Sequence, residues 1–122
     1  MTTQDKTPPG RRILLVEDER MVREAVRLLL AEDDHTVVEA NNGAEALGLF
    51  NGGRFDLVMT DCQMPFIKGD ELAVRIKRLS PQQPILMITS HGYSRGRDNP
   101  VDAVLDKPFN LNELRSAIAK LL

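Results

Sequence analysis

The chain has little of what would tie it to an oxidising or a lipid environment. One cysteine, Cys62, stands in 122 residues; this excludes an internal disulfide and fits a reducing compartment. No apolar run approaches the roughly 18 residues needed to span a bilayer. The polar N-terminus has no apolar leader segment, so no membrane insertion and a cytoplasmic location are expected. Tryptophan is absent and aromatics are 4% of the chain. The four phenylalanines are dispersed, which leaves no stacking platform for bases. Neither sign of charge dominates: 16 Lys and Arg stand against 18 Asp and Glu, for a net charge of -2. The short basic stretches Arg11-Arg12 and Arg95–Arg97 are far apart, so direct nucleic-acid binding has no support. What is there is a 42% hydrophobic content, enough for one packed core in a chain of one-domain length.

Residues 1–10 are polar and end in Pro8-Pro9-Gly10, which predicts a disordered tail or linker; residues 11–122 are expected to form the folded domain. From there apolar runs alternate with helical patterns. Continuous runs at Ile13–Val16, Phe55–Thr60, Pro84–Ile88 and Val101–Leu105, with a weaker one at Thr36–Glu39, predict five strands. Arg20–Glu32 predicts a helix with Val22, Ala25, Val26 and Leu29 on its inner face. Asn42 is expected to cap a helix through Phe50, which Asn51-Gly52-Gly53 stops. Asp70–Leu79 predicts a third helix with Leu72, Ile76 and Leu79 inward, ended by Ser80-Pro81. Gly69, before it, is expected to supply a positive backbone angle. Leu111, Leu114, Ile118 and Leu121 define a last helix capped by Asn110. Between the fourth and fifth strands, residues 90–100 hold two glycines, a proline and no apolar period, so the fourth crossover helix is expected to be short or irregular. Strand–helix alternation implies parallel pairing with right-handed crossovers. Five strands fit an α/β, flavodoxin-like doubly wound sheet of order 2-1-3-4-5.

In such a sheet the ligand edge lies outside the carboxyl ends of the strands. Four runs end there in reactive groups: Glu17-Asp18-Glu19, Asp61, Thr89-Ser90 and Asp106-Lys107-Pro108. The order makes the first and third strands neighbours, so Asp18 and Asp61 are expected to be adjacent. Two carboxylates about 4 Å apart repel by roughly 4 kcal/mol at an effective dielectric near 20. A fold holds them with a cation, a proton or a functional reason, and Mg2+ suits oxygen donors. Glu17-Asp18-Glu19 also has a plain reading, as residues at a helix N-terminus. Asp61 has two readings: a third metal ligand or turn residue, or a nucleophile that forms an aspartyl phosphate. In the second, Lys107 supplies a point charge and Thr89 a hydroxyl donor to the transferring phosphoryl group.

The ordered set Ile13-Leu14-Leu15-Val16-Glu17-Asp18-Glu19, Asp56 to Pro65 with Gly69, Pro84 to Ser90, and Lys107-Pro108-Phe109 resembles the receiver domain of bacterial two-component response regulators. The resemblance covers roughly Arg12 to Leu122. It implies that Asp61 accepts a phosphoryl group from the phosphohistidine of a sensor histidine kinase or phosphotransfer protein. It implies that Asp18, Asp61 and the Gln63 carbonyl hold Mg2+, with Glu17 acting largely through water. Thr89 would bond a phosphoryl oxygen, Lys107 would pair with Asp61 or its phosphoryl group, and the Lys107–Pro108 peptide would be cis. Gln63 and His91 stand where side chains tune self-dephosphorylation. On this reading the chain is a signalling domain rather than an enzyme on an external substrate, acting on a downstream protein target or output domain.

Two departures bear on output. Val104 occupies the position, three before the lysine, where many receivers carry Tyr or Phe, and Tyr93 is not equivalently placed. With the irregular fourth crossover, this implies output surfaces unlike those of a DNA-binding regulator's receiver. The setting stays open among a stand-alone regulator, a phosphorelay intermediate and the receiver of a hybrid histidine kinase. Among other functions, an aspartyl-phosphate hydrolase of the haloacid dehalogenase type lacks its second Asp, since Gln63 stands there. A phosphate-independent interaction module does not account for the full set Glu17, Asp18, Asp61, Thr89 and Lys107. A flavin-binding protein lacks a Ser/Thr/Gly-rich phosphate loop after the first strand. Cys62 is expected to be a buried core thiol.

Overall fold

A computed structural model describes residues 10–90 and 100–122 of the chain. The expected tail before Gly10 and the irregular fourth crossover, with His91 and Tyr93, lie outside the described residues. The elements run β1 (Arg12–Val16), α1 (Arg20–Ala31), β2 (Thr36–Ala40), α2 (Gly43–Asn51), β3 (Leu57–Asp61), α3 (Gly69–Leu79), β4 (Ile85–Thr89), β5 (Ala103–Asp106) and α4 (Leu111–Leu121). All four strand pairings are parallel and the order is β2-β1-β3-β4-β5, as the alternation predicts.

Successive residues of a strand face opposite sides, and the core divides accordingly. Leu14, Val16, Val58, Ile85 and Met87 pack beneath Ala46 and Phe50 of α2 and Leu72, Ala73 and Ile76 of α3. Ile13, Leu15, Leu57, Met59, Leu86 and Ile88 pack beneath Val26 and Leu30 of α1 and Leu114 and Ile118 of α4. The central strands β3 and β4 are buried along their whole length, whereas the edge strands β2 and β5 are partly open. This is why the Thr36–Glu39 run reads weakly in the sequence. The Asn42 side chain accepts from the Glu45 N–H at 2.8 Å. Asn110 and Glu113 form a reciprocal capping box. Both caps were legible from the sequence.

Four local expectations are corrected. β3 starts at Leu57, because Phe55 leaves the strand to stack on Phe50, with ring centroids 6.4 Å apart. Leu30 rather than Ala25 completes the buried face of α1; Ala25 is exposed. Leu79 is 55% exposed, and Ala73 takes the inward place in α3; Leu79 is the last residue of that helix, where the chain turns away into extended Ser80. Gly69 carries no positive φ. The left-handed residue of that loop is Phe66, at φ 69°.

Phe66 is 94% exposed, so it gains no packing for its backbone strain. A bulky side chain in that region costs about 1 kcal/mol, and Asn tolerates it best after Gly. Phe66→Asn is expected to stabilise the domain by about 1 kcal/mol, read as a higher midpoint in urea unfolding. An unchanged or lower midpoint would show that the phenylalanine is held by more than its own strain.

Candidate functional site

The parallel register assembles the site. Val16 pairs with Thr60, so Glu17, the next residue, lies beside Asp61. Asp61 pairs with Ile88, so Thr89 follows at the same edge. Thr89 pairs with Asp106, and the Lys107 N–H donates to the Thr89 carbonyl at 2.8 Å. Four strand ends thus deliver a carboxylate pair, a carboxylate, a hydroxyl and an ammonium to one edge, as the sequence reading expected. The Lys107–Pro108 peptide is cis.

Oxygen atoms of Glu17, Asp18 and Asp61 all lie within 4.8 Å of one another. Asp61 is 6% exposed and Glu17 2%, while Asp18 is half-buried. Lys107 Nζ lies 3.3 Å from Asp61 Oδ1 and 3.5 Å from Glu17 Oε1. The Cys62 N–H donates to Asp61 Oδ1 at 3.0 Å, and the Glu19 N–H donates to Glu17 Oε2 at 3.0 Å. The Thr89 hydroxyl donates to the Ser90 carbonyl at 3.1 Å. Gln63 is exposed two residues beyond Asp61. Cys62 is buried in the α2–α3 side of the core, and its thiol is pushed up by that burial and by Asp70 and Asp61. It is a neutral core group, as expected.

Burial pushes the Asp61 carboxyl up, against Lys107 and the Cys62 N–H. Burial pushes Glu17 up to about 7, helped by the charge of Asp61 and opposed by the Glu19 N–H and Lys107. For Lys107, burial acts to lower the ammonium, but Glu17 and Asp61 outweigh it and hold it above its ordinary value. One ammonium therefore does not satisfy the cluster. Three clustered carboxylate oxygens with one acid pushed towards neutrality form a hard-donor set that fits a divalent cation.

A carboxyl raised from 4.5 to about 7 makes the folded state bind more protons than the unfolded chain across that window. Stability of the metal-free protein is then expected to fall as pH rises from about 4.5 to 7. The buried His35, lowered chiefly by its burial, acts oppositely near pH 6.5. The diagnostic measurement is thus the difference between wild type and Glu17→Gln. With a chelator present, the variant should gain thermal stability on the wild type as pH rises from 5 to 7.5. Parallel curves would refute the raised acid.

Sequence reasoning missed the direct Lys107–Glu17 contact and Arg23. The Arg23 guanidinium donates to the Glu17 backbone carbonyl. In the sequence it is one of three arginines of α1, and nothing in the local pattern separates it from Arg20 and Arg27.

The fold and this edge define a phosphoryl-signalling receiver, and the sequence profile of the response regulator receiver domain matches residues 13–119. The chain belongs to that family. Among its relatives, the transcriptional regulatory protein TcrA of Mycobacterium tuberculosis is 37% identical over 116 residues, which are 92% of this chain and 46% of TcrA. The autoinducer 1 sensor kinase/phosphatase LuxN of Vibrio harveyi is 34% identical, over 90% of this chain and 13% of LuxN. The chain thus spans less than half the length of either. Among solved structures, the response regulator TrrA of Thermotoga maritima, in complex with Mg2+-BeF, is 37% identical with a TM-score of 0.83, over 92% of this chain and 99% of that one. TrrA has also been solved with the histidine kinase ThkA, at 36% identity and a TM-score of 0.84, over 92% and 98% of the two chains. Among the described residues no helix is long and apolar enough to cross a membrane.

Proposed function

We propose that Asp61 is the phosphoacceptor of this receiver and takes its phosphoryl group from a phosphohistidine of a sensor kinase or phosphotransfer protein. The observation that carries the reading is the buried Asp61 carboxylate, 3.3 Å from Lys107 Nζ and clustered with the Glu17 and Asp18 carboxylates. An Asp61 oxygen attacks phosphorus, the P–N bond breaks, and the imidazole leaves with its electron pair and takes a proton. Lys107 balances charge on the acceptor and then on the acyl phosphate. Thr89, whose hydroxyl can turn from the Ser90 carbonyl, donates to a phosphoryl oxygen.

Glu17, Asp18, Asp61 and the Gln63 carbonyl are the groups that would hold Mg2+; bound there, the ion supplies positive charge against the phosphoryl oxygens. The Mg2+-BeF complex of TrrA supports the choice of ion, and the TrrA–ThkA complex supports a histidine kinase as partner. Catalysis is confined to the domain's own phosphorylation and dephosphorylation. The domain is residues 11–122, and it acts in the cytoplasm. It signals to a downstream protein or output domain, either as a regulator of the TcrA kind or as the receiver of a longer kinase, as LuxN exemplifies.

The test is intact-mass analysis after incubation with acetyl phosphate, with MgCl2 or with a chelator. One phosphoryl adduct is expected, only with Mg2+, mapping by fragmentation to Asp61. An adduct at another residue, or one formed equally with chelator, would overturn the reading. No adduct from acetyl phosphate or from a phosphorylated kinase would favour a phosphate-independent docking role.

A further inference from the structure

We propose that Arg23 is a positioning residue for the acidic turn, setting the orientation of Glu17 and Asp18 and hence the affinity of the site for Mg2+; this rests on the Mg2+ reading above. The turn between β1 and α1 carries three successive carboxylates, Glu17, Asp18 and Glu19, facing a fourth, Asp61. Their mutual repulsion acts to splay it. From the helix side little holds it, because Glu19 at the start of α1 makes no side-chain cap. From the sheet side the Glu17 N–H is bonded to the Ala40 carbonyl at 3.1 Å. The Glu17 carbonyl is met by Arg23, whose Nη1 donates to it at 2.8 Å.

The same guanidinium reaches two other elements. Nη1 also donates to Asn41 Oδ1 at 3.1 Å, and Nε donates to Glu39 Oε1 at 3.2 Å. Glu39 is braced in turn by Arg27, at 3.5 Å. The Asn41 N–H donates to Glu45 Oε1 at 2.6 Å, which ties that turn to the first turn of α2. The side chain of Arg23 is only 16% exposed. One planar fork therefore fastens the acidic turn to the end of β2 and the start of α2. A lysine, whose three donors all sit on one nitrogen, cannot span all three acceptors. Arg23 touches no carboxylate of the cluster. It holds the backbone from which two of them project, and groups that orient ligands in this way commonly change metal affinity by tenfold or more when removed.

The experiment is calorimetric titration of the metal-free full chain with MgCl2, with folding of each variant checked by circular dichroism. Arg23→Met is expected to raise the Mg2+ dissociation constant about tenfold, and Arg23→Lys to recover part of the loss. In the acetyl phosphate reaction the Mg2+ half-saturation point should shift by the same factor, while the rate at saturating Mg2+ returns to the wild-type value. General damage to the fold would not be cured by Mg2+. A folded Arg23→Met with wild-type affinity, or with a rate that saturating Mg2+ does not restore, would overturn the proposal. Should Arg23→Met fail to fold, Asn41→Ala and Glu39→Ala decide the matter. Each removes one remote anchor of the guanidinium, and wild-type affinity in both would overturn it. A wild-type chain that binds no Mg2+ would overturn the Mg2+ reading itself, and this inference with it.

Discussion

Asp61→Asn is expected to take up no phosphoryl group from acetyl phosphate or a kinase, a complete loss within detection, while the domain stays folded. The two halves of that expectation have separate causes. An amide oxygen is far less nucleophilic than a carboxylate oxygen, and its nitrogen cannot form the acyl phosphate, so the chemistry ends. The fold should not suffer. Asp61 is a buried acid already pushed up by burial, and Asn keeps its shape without its charge. The amide oxygen still accepts from the Cys62 N–H, and Lys107 retains Glu17 at 3.5 Å. In the absence of Mg2+ the variant should therefore melt no lower than the wild type. Lys107→Ala should behave differently. It leaves the nucleophile but removes the one ammonium within ion-pair distance of Asp61 among the described residues. Phosphorylation is then expected to slow by about a hundredfold, and the metal-free domain to lose stability above pH 7 as Glu17 and Asp61 face each other unopposed. Intact mass and thermal unfolding read both variants. A normal adduct on Asp61→Asn would move the acceptor elsewhere.

The parts of this molecule legible in its sequence are those set by local pattern. Continuous apolar runs gave β1 and β4 to within a residue, because a strand covered on both faces has no polar positions to blur it. Asn42 and Asn110 announced their helices because a cap is a contact between residues three apart. That Glu17, Asp18, Asp61, Thr89 and Lys107 meet at one sheet edge was legible for a topological reason. Parallel order alone brings strand ends together, whatever the details of packing. What escaped was decided by tertiary contact. Phe55 belongs to a strand-like run but turns to stack on Phe50, with the Arg12 guanidinium 4.9 Å from its ring centroid. Leu79 keeps the helical period yet finds no core to enter at the end of α3. Arg23 lies in a helix start that the pattern does not single out, and its contacts form only when Glu39 of β2 and Asn41 of the turn after it are brought beside it. The Lys107–Glu17 pair joins residues 90 apart in the chain.

Gly69 carries the largest stability prediction, and for a reason opposite to the one its sequence context implied. It is not needed for a positive φ but for space. A Cβ at this position would fall on the Asp61 backbone carbonyl and lie 2.9 Å from the Cys62 Cα and 3.1 Å from the Asp61 carbonyl carbon. Those atoms belong to the end of β3, which is hydrogen-bonded on both sides within the sheet and cannot move as the tip of a flexible side chain can. The Gly69 N–H also donates to the Cys62 carbonyl at 3.0 Å, so the start of α3 is fixed against the strand that bears Asp61. Gly69→Ala must push helix and strand apart and is expected to cost about 3 kcal/mol or more, a fall in Tm of roughly 10 °C. Because the displaced atoms are those of Asp61 itself, the surviving folded protein should also phosphorylate more slowly. Gly48 provides the contrast. It lies on the exposed face of α2, where an added Cβ meets nothing within 4 Å. Gly48→Ala is expected to stabilise by about 0.5–1 kcal/mol through its better helix propensity. Thermal unfolding of the two variants side by side should thus give shifts of opposite sign. A Gly69→Ala melt within a degree or two of wild type would mean that β3 and α3 are not held as close as their contact at Asp61 requires.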